Sequence, residues 1–531
     1  MKLNLKSIQQ KKQWEDIDVS LPTFDIEKLR SETHSSPEWL HFGGGNIFRV
    51  FIANALHEAI EKNKVKNGVI VAESFDFEMV DKYYHEYDNL SLSVIMDPKD
   101  SYHKKIVASI TEALKCIKDT EDWNRLYEIA QNESLKMISF TITEKGYALK
   151  DMNGNYLSVI EKDIADGPDN PLHTMSIVAS LLYSRYRNGA YPVAVVSMDN
   201  CSHNGDKLGN AVKEISQKWH EKGYVEEDFI EYINSDNVSF PYTMIDKITP
   251  RPSENVKNKL ENLGIEDMDL IITQKGSYTA PFVNSEVCEY LIIEDDFPNG
   301  KIDISSERVI FTDRDTVNNV ETMKVTTCLN PLHTALAVTG CLMGYTLIAN
   351  QMKNPILVNL IKKIGYDEGL KVVVDPKIIN PKDFIDEVVN ERLTNPNIPD
   401  TPQRIAMDTS QKVGIRFGHT IKAYMADEHL DSSSLVGIPL AIAAWCRYLV
   451  GIDDNGAPFE LSSDPLKDAL TKQFEGIQIG SSVSLKPMLS NNEIFGVDLY
   501  TAGLGDKIQT YFDEMMAKKG GVEKTIEKYC K

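Results

Sequence analysis

No two cysteines in this 531-residue sequence stand in a C-x-x-C pair. The seven present, at 116, 201, 288, 328, 341, 446 and 530, are scattered and odd in number. That pattern argues against a disulfide framework and fits reduced thiols in a cytoplasm. Cys201 and His203 lie close together but no second ligand pair accompanies them, so no metal is expected. Basic residues are also in deficit: 57 Lys and Arg stand against 79 Asp and Glu, a net charge of −22. A nucleic-acid backbone needs basic patches and is excluded as a partner; the negative surface favours solubility. The opening, MKLNLKSIQQKKQWED, lacks the apolar stretch of a signal peptide, which again points to the cytoplasm. Charge is missing altogether from Val325 to Met352, yet Asn330, Pro331, His333 and Asn350 interrupt it. A membrane span needs about 20 mainly apolar residues, so no membrane partner is expected. There is no internal repeat and no low-complexity linker. What remains is an ordinary globular composition, 42% hydrophobic and 26% charged, long enough for about two to four domains.

The N-terminal part alternates β and α patterns over roughly 300 residues, which predicts an α/β fold with a Rossmann-like domain over 1–312. Trp39 to Phe42 is short and apolar, and Gly43-Gly44-Gly45-Asn46-Ile47-Phe48-Arg49 follows at once. Val50, Phe51, Ala53, Leu56 and Ile60 then recur at helical spacing. Strand, glycine turn and amphipathic helix open a dinucleotide-binding unit, in which Gly43 and Gly45 let the backbone approach a pyrophosphate. The third glycine of that fingerprint is replaced by Phe48. Residues 68–72 read as the second parallel strand and end in Glu73, where the fold places an acid for the adenosine ribose hydroxyls. An acid there repels the extra phosphate of NADP and favours NAD. Further strands are expected at 92–96, 137–142, 192–198 and 291–296, and a helix at 102–118. The strand at 192–198 delivers Asn200 to the sheet edge that binds ligands. Two readings of Asn200 stay open, an oxyanion or cofactor contact and an Asx-turn residue capping helix 205–218.

From 313 to 531 helical periodicity dominates, with helices expected at 331–350, 354–364, 381–392, 402–425, 435–450, 464–474 and 503–527. The stretch ETMKVTTCLNPLHTALA (321–337) places Glu321 and Lys324 ahead of an uncharged helix, with Pro331 in its first turn and Asn330 beside the cap. Lys324 and His333 at the mouth of such a helix share a polar pocket; the alternative is a core helix with one satisfied histidine. Arg404 and Lys412, eight apart, fall on one face if 402–425 is continuous. That face suits a carboxylated or polyhydroxylated substrate, or is simply solvated.

With these pieces placed, the chain resembles the mannitol dehydrogenase family of long-chain polyol dehydrogenases. The markers are GGGNIFR (43–49), TITEKGY (141–147), SMDNCSHNGD (197–206), FPYTMIDKITP (240–250), YLIIEDDF (290–297), the Lys324 segment and AIAAWCRYLVG (441–451). The resemblance implies a nucleotide-binding domain followed by a mostly α-helical substrate domain. It implies Lys324 as catalytic base, Asn330 and Asn200 as oxyanion donors, and His333 as a partner of the substrate hydroxyl. It likewise matches Asp246 to the signature aspartate, Glu321 to a gating acid, and Arg404 and Lys412 to substrate-contacting cations. Gly43, Gly45, Asn46, Arg49, Glu73 and Asp246 form the cofactor-binding set. In two respects the chain departs: one extra residue separates Lys324 from Asn330, which either a local bulge absorbs or Lys324 meets by sitting differently, and GNIFR replaces the usual ending of the glycine turn. The GNIFR ending is more like the branch of the family that reduces keto-hexuronates to hexonates.

The implied chemistry is an NAD-dependent secondary-alcohol oxidation on a sugar acid or polyol, by a monomer or small homo-oligomer. A lysine serves as base only if desolvation or nearby positive charge pulls it towards neutrality. Two amides then stabilise the alkoxide, so no metal is required. The neutral-polyol enzymes are the near rival, and a catalytically silent nucleotide-binding regulator is the rival from another class.

Overall fold

The computed structural model describes residues 1–99 and 101–531. The chain divides into two compact units, Met1–Asn318 and Asn319–Lys531, so the division falls inside helix Arg314–Met323 rather than at 312/313.

The first unit is built on a six-stranded parallel sheet. Its strands in chain order are β1 (Trp39–Phe42), β2 (Val69–Glu73), β3 (Ile110–Lys115), β4 (Met137–Phe140), β5 (Val193–Ser197) and β6 (Val238–Ser239). In space they run 3-2-1-4-5-6, all parallel, which is the doubly wound Rossmann order. β1, β2, β4 and β5 are buried at every position, as continuous apolar strands covered on both faces must be. The order reverses between β1 and β4, and the loops at that point leave from the carboxyl edge, where such sheets bind ligands.

The helix expected at 102–118 is not there. Tyr102–Val107 is a strand of a second, four-stranded sheet, and Ile110–Lys115 is β3. The Glu112-Ala113-Leu114-Lys115 composition favours helix locally, but pairing with Val69–Glu73 decides the outcome. Phe48, in place of the third glycine, starts a π-turn (Phe48–Ile52) ahead of helix α1 (Ala53–Glu61). Its buried ring stacks on His41 of β1 with centroids 3.9 Å apart, so an aromatic fills the space a glycine usually leaves.

The second unit is helical. Helix α2 (Asn330–Leu342) carries Pro331 in its first turn and packs against α3 (Gly437–Tyr448). Both are buried almost throughout, and Gly344, at φ 76°, lies just beyond the end of α2. The periodic run 331–350 therefore stops at Leu342 and resumes as Ile348–Gln351. The run 402–425 is broken too: Pro402–Ile405 and Thr409–Gln411 are separate turns, Gly414–Gly418 is a π-turn, and only His419–Ala426 is regular. Asp408 is left-handed at φ 52°, its N–H donates to Ser463 O, and the Ser410 N–H and hydroxyl donate to Asp464. Those distant partners outcompete helix continuation, so Arg404 and Lys412 share no helical face. Among the described residues no helix is long and apolar enough to cross a membrane.

The start of α3 depends on a single carboxylate. Glu368, 4% exposed, accepts the N–H groups of Val436, Gly437 and Ile438 at 2.6, 2.7 and 2.9 Å. These are the orphan donors of a helix N-terminus, and a negative charge suits that end of the dipole. Replacing Glu368 by alanine strands three buried donors, at a cost of roughly 2–4 kcal/mol, enough to lower the thermal midpoint by several degrees. A variant whose circular-dichroism melt stays within about 1 °C of the parent contradicts that role.

Candidate active site

Two groups of side chains, one in each unit, answer to the sequence expectations. In the first unit the turn after β1 is fixed from three sides. Gly43 has φ 93°, and a Cβ there would lie 2.3 Å from Thr141 O, so only glycine fits. The Gly44 N–H donates to Glu73 Oε1 at 2.6 Å, and Tyr84 Oη donates to Gly44 O at 2.6 Å. Gly45 differs, for a Cβ built there would meet no protein atom within 4 Å. A turn whose middle is braced and whose far side is open suits a close-approaching phosphate, and Glu73 at the end of β2 suits a ribose. These residues fit a dinucleotide.

Arg49 and Asn46 do not present themselves in the same way. The Arg49 guanidinium is fully buried, lies 3.9 Å from the Tyr83 ring centroid, and donates to Ala280 O, Thr279 Oγ1 and Asn46 Oδ1. Arg49 therefore braces the turn from inside, and Asn46 is the turn residue it grips. Asn200 is exposed beyond β5. The helix beyond it opens at Asn204, with His203 at the N-cap position. Asn204 is the residue that holds this corner, bonding Ser197 O, Asp199 O and Thr243. Asp246 closes strand Thr243–Asp246 opposite Tyr290 and is buried.

In the second unit Lys324, 3% exposed, begins a π-turn, Lys324–Cys328. The Leu329 N–H donates to Lys324 O at 3.1 Å, five residues back rather than four. The widened turn spans Lys324–Cys328, the stretch in which the family resemblance implies one extra residue, and α2 begins at Asn330. Glu321, half-buried, stands three residues before the lysine, one turn away on the same side.

His333 brings in a residue that the sequence did not single out. Its Nε2 lies 2.8 Å from Asp400 Oδ2, and Arg404 Nη2 pairs with Asp400 Oδ1. Burial pushes the Asp400 carboxyl up, but His333 and Arg404 outweigh it and hold the carboxyl below its ordinary value. Lys412 is set apart from this trio, its Nζ donating to Met407 O. Its ammonium is lowered by burial and then by the charge of Arg416, against the pull of Asp408 and Asp464. Arg416 itself donates from Nη1 to Thr334 Oγ1 at 2.6 Å. Asp400 lies 67 positions beyond His333 in a Pro-containing loop and carries no local signal; Arg416 was not singled out, although its place four residues after Lys412, one helical turn, could have drawn attention to it.

A Rossmann sheet with a braced glycine turn and an acid at its switch point defines a dinucleotide-dependent oxidoreductase fold. The comparisons make this specific: the chain belongs to the mannitol dehydrogenase family. Its Rossmann-domain model matches residues 37–306 and its C-terminal-domain model residues 316–516. A D-mannonate oxidoreductase of Thermotoga maritima is 50% identical over 99% of this chain and 98% of its own. A mannitol 2-dehydrogenase of Neosartorya fischeri is 26% identical over the whole chain and 99% of its own. Among solved structures, a D-sorbitol dehydrogenase in substrate-free form superposes with TM-score 0.80 at 21% identity, over 96% of this chain and 97% of that one. The Pseudomonas fluorescens mannitol 2-dehydrogenase ternary complex with NAD and D-mannitol gives 0.71 at 24% identity, over 99% of both. The family resemblance carried by the sequence motifs is borne out, as is the pairing of a Rossmann domain with a helical one.

Glu73 offers a pH test of the turn. Burial pushes its carboxyl up to about 7 from 4.5, opposed by the Gly44 N–H bond and reinforced by Asp76. The folded value exceeds the unfolded one, so its contribution to stability is complete below about 4.5 and lost as pH rises through about 7. Without cofactor, the parent should therefore lose melting temperature relative to Glu73→Gln between about pH 5 and pH 8. Parallel Tm–pH curves for the two proteins contradict this environment for Glu73.

Proposed function

We propose that this protein is an NAD-dependent dehydrogenase interconverting D-mannonate and D-fructuronate. The carrying observation is the 50% identity, over nearly the full length of both chains, to a D-mannonate oxidoreductase, against 26% for a mannitol 2-dehydrogenase. Gly43, Gly45 and Glu73 hold the dinucleotide, with Asn46, Arg49 and Asp246 supporting that side. NAD, when bound, supplies the hydride acceptor. The remaining steps belong to the protein's own residues. Lys324 takes the proton of the hydroxyl whose carbon gives up hydride, and in the reverse direction returns it to the carbonyl oxygen. Asn330 donates an amide hydrogen to the developing alkoxide, with Asn200 as the second amide donor. His333, steadied by Asp400, orients the hydroxyl. Arg404, Lys412 and Glu321 serve the rest of the substrate. We place the reaction in the cytoplasm, in keeping with seven free cysteines, and in a monomer or small homo-oligomer.

The experiment is steady-state oxidation by the wild type and Lys324→Ala, followed by NADH absorbance, with D-mannonate, D-altronate and D-mannitol. The wild type should prefer D-mannonate. The variant should lose at least about a hundredfold in kcat, because general bases supply 10²–10⁴, while NADH affinity stays within about twofold. Retention of more than about a tenth of the activity sinks the base assignment. Efficient mannitol oxidation with no turnover of either hexonate sinks the substrate assignment.

A further inference from the structure

A sugar acid differs from a polyol by one carboxylate, and the helical unit must hold a cation for it that is not already taken. Arg404, the cation the family motif suggests, is engaged by Asp400, which also faces His333. Arg416 is in the opposite situation. Among the described residues no carboxylate lies within ion-pair distance of it, and Nη1 alone has a protein partner, Thr334 Oγ1. That hydroxyl in turn donates to Asn330 O at 2.9 Å, so the guanidinium sits against the first turn of α2, which carries Asn330 and His333. We propose that Arg416, with Lys412 one turn before it, anchors the substrate carboxylate. This rests on the sugar-acid reading of the function.

The backbone holds Arg416 firmly enough for such a role. It lies in the π-turn Gly414–Gly418, and a Cβ on Gly418 would fall 1.9 Å from Phe495 O, so the turn is packed directly on the chain beneath it. Two residues further on, Thr420 Oγ1 donates to Thr326 O inside the Lys324 π-turn at 3.3 Å, tying the two widened turns together. The Arg416 N–H donates to Lys412 O at 2.9 Å, which fixes the spacing of the two cations. Burial lowers the Arg416 guanidinium to about 10, and Arg416 in turn lowers Lys412. Arg416 remains charged at neutral pH, partly desolvated and without a counter-ion. A carboxylate meets that need, and the planar fork offers it two parallel bonds.

A purely structural Arg416 would act through Thr334 on Asn330 and depress kcat. An anchor acts on KM. The test is steady-state kinetics of full-length Arg416→Gln, Arg416→Lys and Thr334→Val with D-mannonate, at low and high salt. Loss of a charge-assisted carboxylate bond should raise KM roughly ten- to a hundredfold in Arg416→Gln. Its kcat should stay within about threefold, and the salt dependence of kcat/KM should flatten. Arg416→Lys should lie between the two, and Thr334→Val should leave KM near the parent value. An unchanged KM in Arg416→Gln, or a loss confined to kcat, overturns the proposal. Should Arg416→Gln fail to fold, Arg416→Lys decides, and a KM equal to the parent's overturns it. A wild type inert towards D-mannonate defeats the proposed function instead, and that is visible before any variant is measured.

Discussion

One hydrogen bond sets the geometry of the stretch proposed to be catalytic: Leu329 N–H to Lys324 O, closing a turn of five residues rather than four. Each helical residue advances the side chain by about 100°, so an inserted residue in a regular helix would swing Lys324 to another face. The π-turn widens the helix locally, so an extra residue within it leaves the helix that follows in register. Cys328 and the two threonines before it are buried, and α2 starts undisturbed at Asn330. Another π-turn, Gly414–Gly418, is joined to this one through Thr420 and Thr326. Widened turns of this kind cost regular hydrogen bonds and are frequent at functional sites.

The electrostatic arrangement of the helical unit follows from which cations are neutralised. Asp400 serves His333 and Arg404 together, and a buried carboxylate between two such partners stays ionised. Burial lowers both Lys412 and Arg416, and the charge of Arg416 lowers Lys412 further, an arrangement that favours an anion beside them. In the Rossmann unit the sign is reversed. Glu73 is buried beside Asp76 and takes the Gly44 N–H, so the nucleotide turn carries an acid poised near neutrality. The acid of the first unit is thus pushed towards its neutral form, whereas the carboxyl of Asp400 in the second is held in its charged form.

Much of this was legible in the sequence. Parallel strands buried on both faces announce themselves as apolar runs, and β1, β2, β4 and β5 were read that way. The glycine turn and the acid after β2 follow from the same order of elements. β3 was misread because Glu112, Ala113, Leu114 and Lys115 favour helix, while the pairing that overrides them lies more than 35 residues upstream. The break at Asp408 was invisible for the same reason, since Asp464 supplies the competing bonds from 54 residues away. Lys324, Asn330 and His333 were singled out through their motif, whereas Asp400 shows no pattern at all. Fold-making contacts that are local in sequence were readable; those that close long loops were not.

If the widened turn is what aims Lys324, removing its extra residue should be more damaging than any nearby point change. Deleting Val325, the least buried residue of the turn, gives the shorter Lys324–Asn330 spacing that the family resemblance implies while retaining both residues. Turnover of D-mannonate by the deletion variant, with NADH affinity and thermal midpoint as folding controls, tests this directly. The account predicts a loss of at least about a hundredfold in kcat with cofactor binding retained, because the base is rotated off the reacting hydroxyl. A deletion variant that folds and keeps more than about a tenth of the parent's turnover contradicts it.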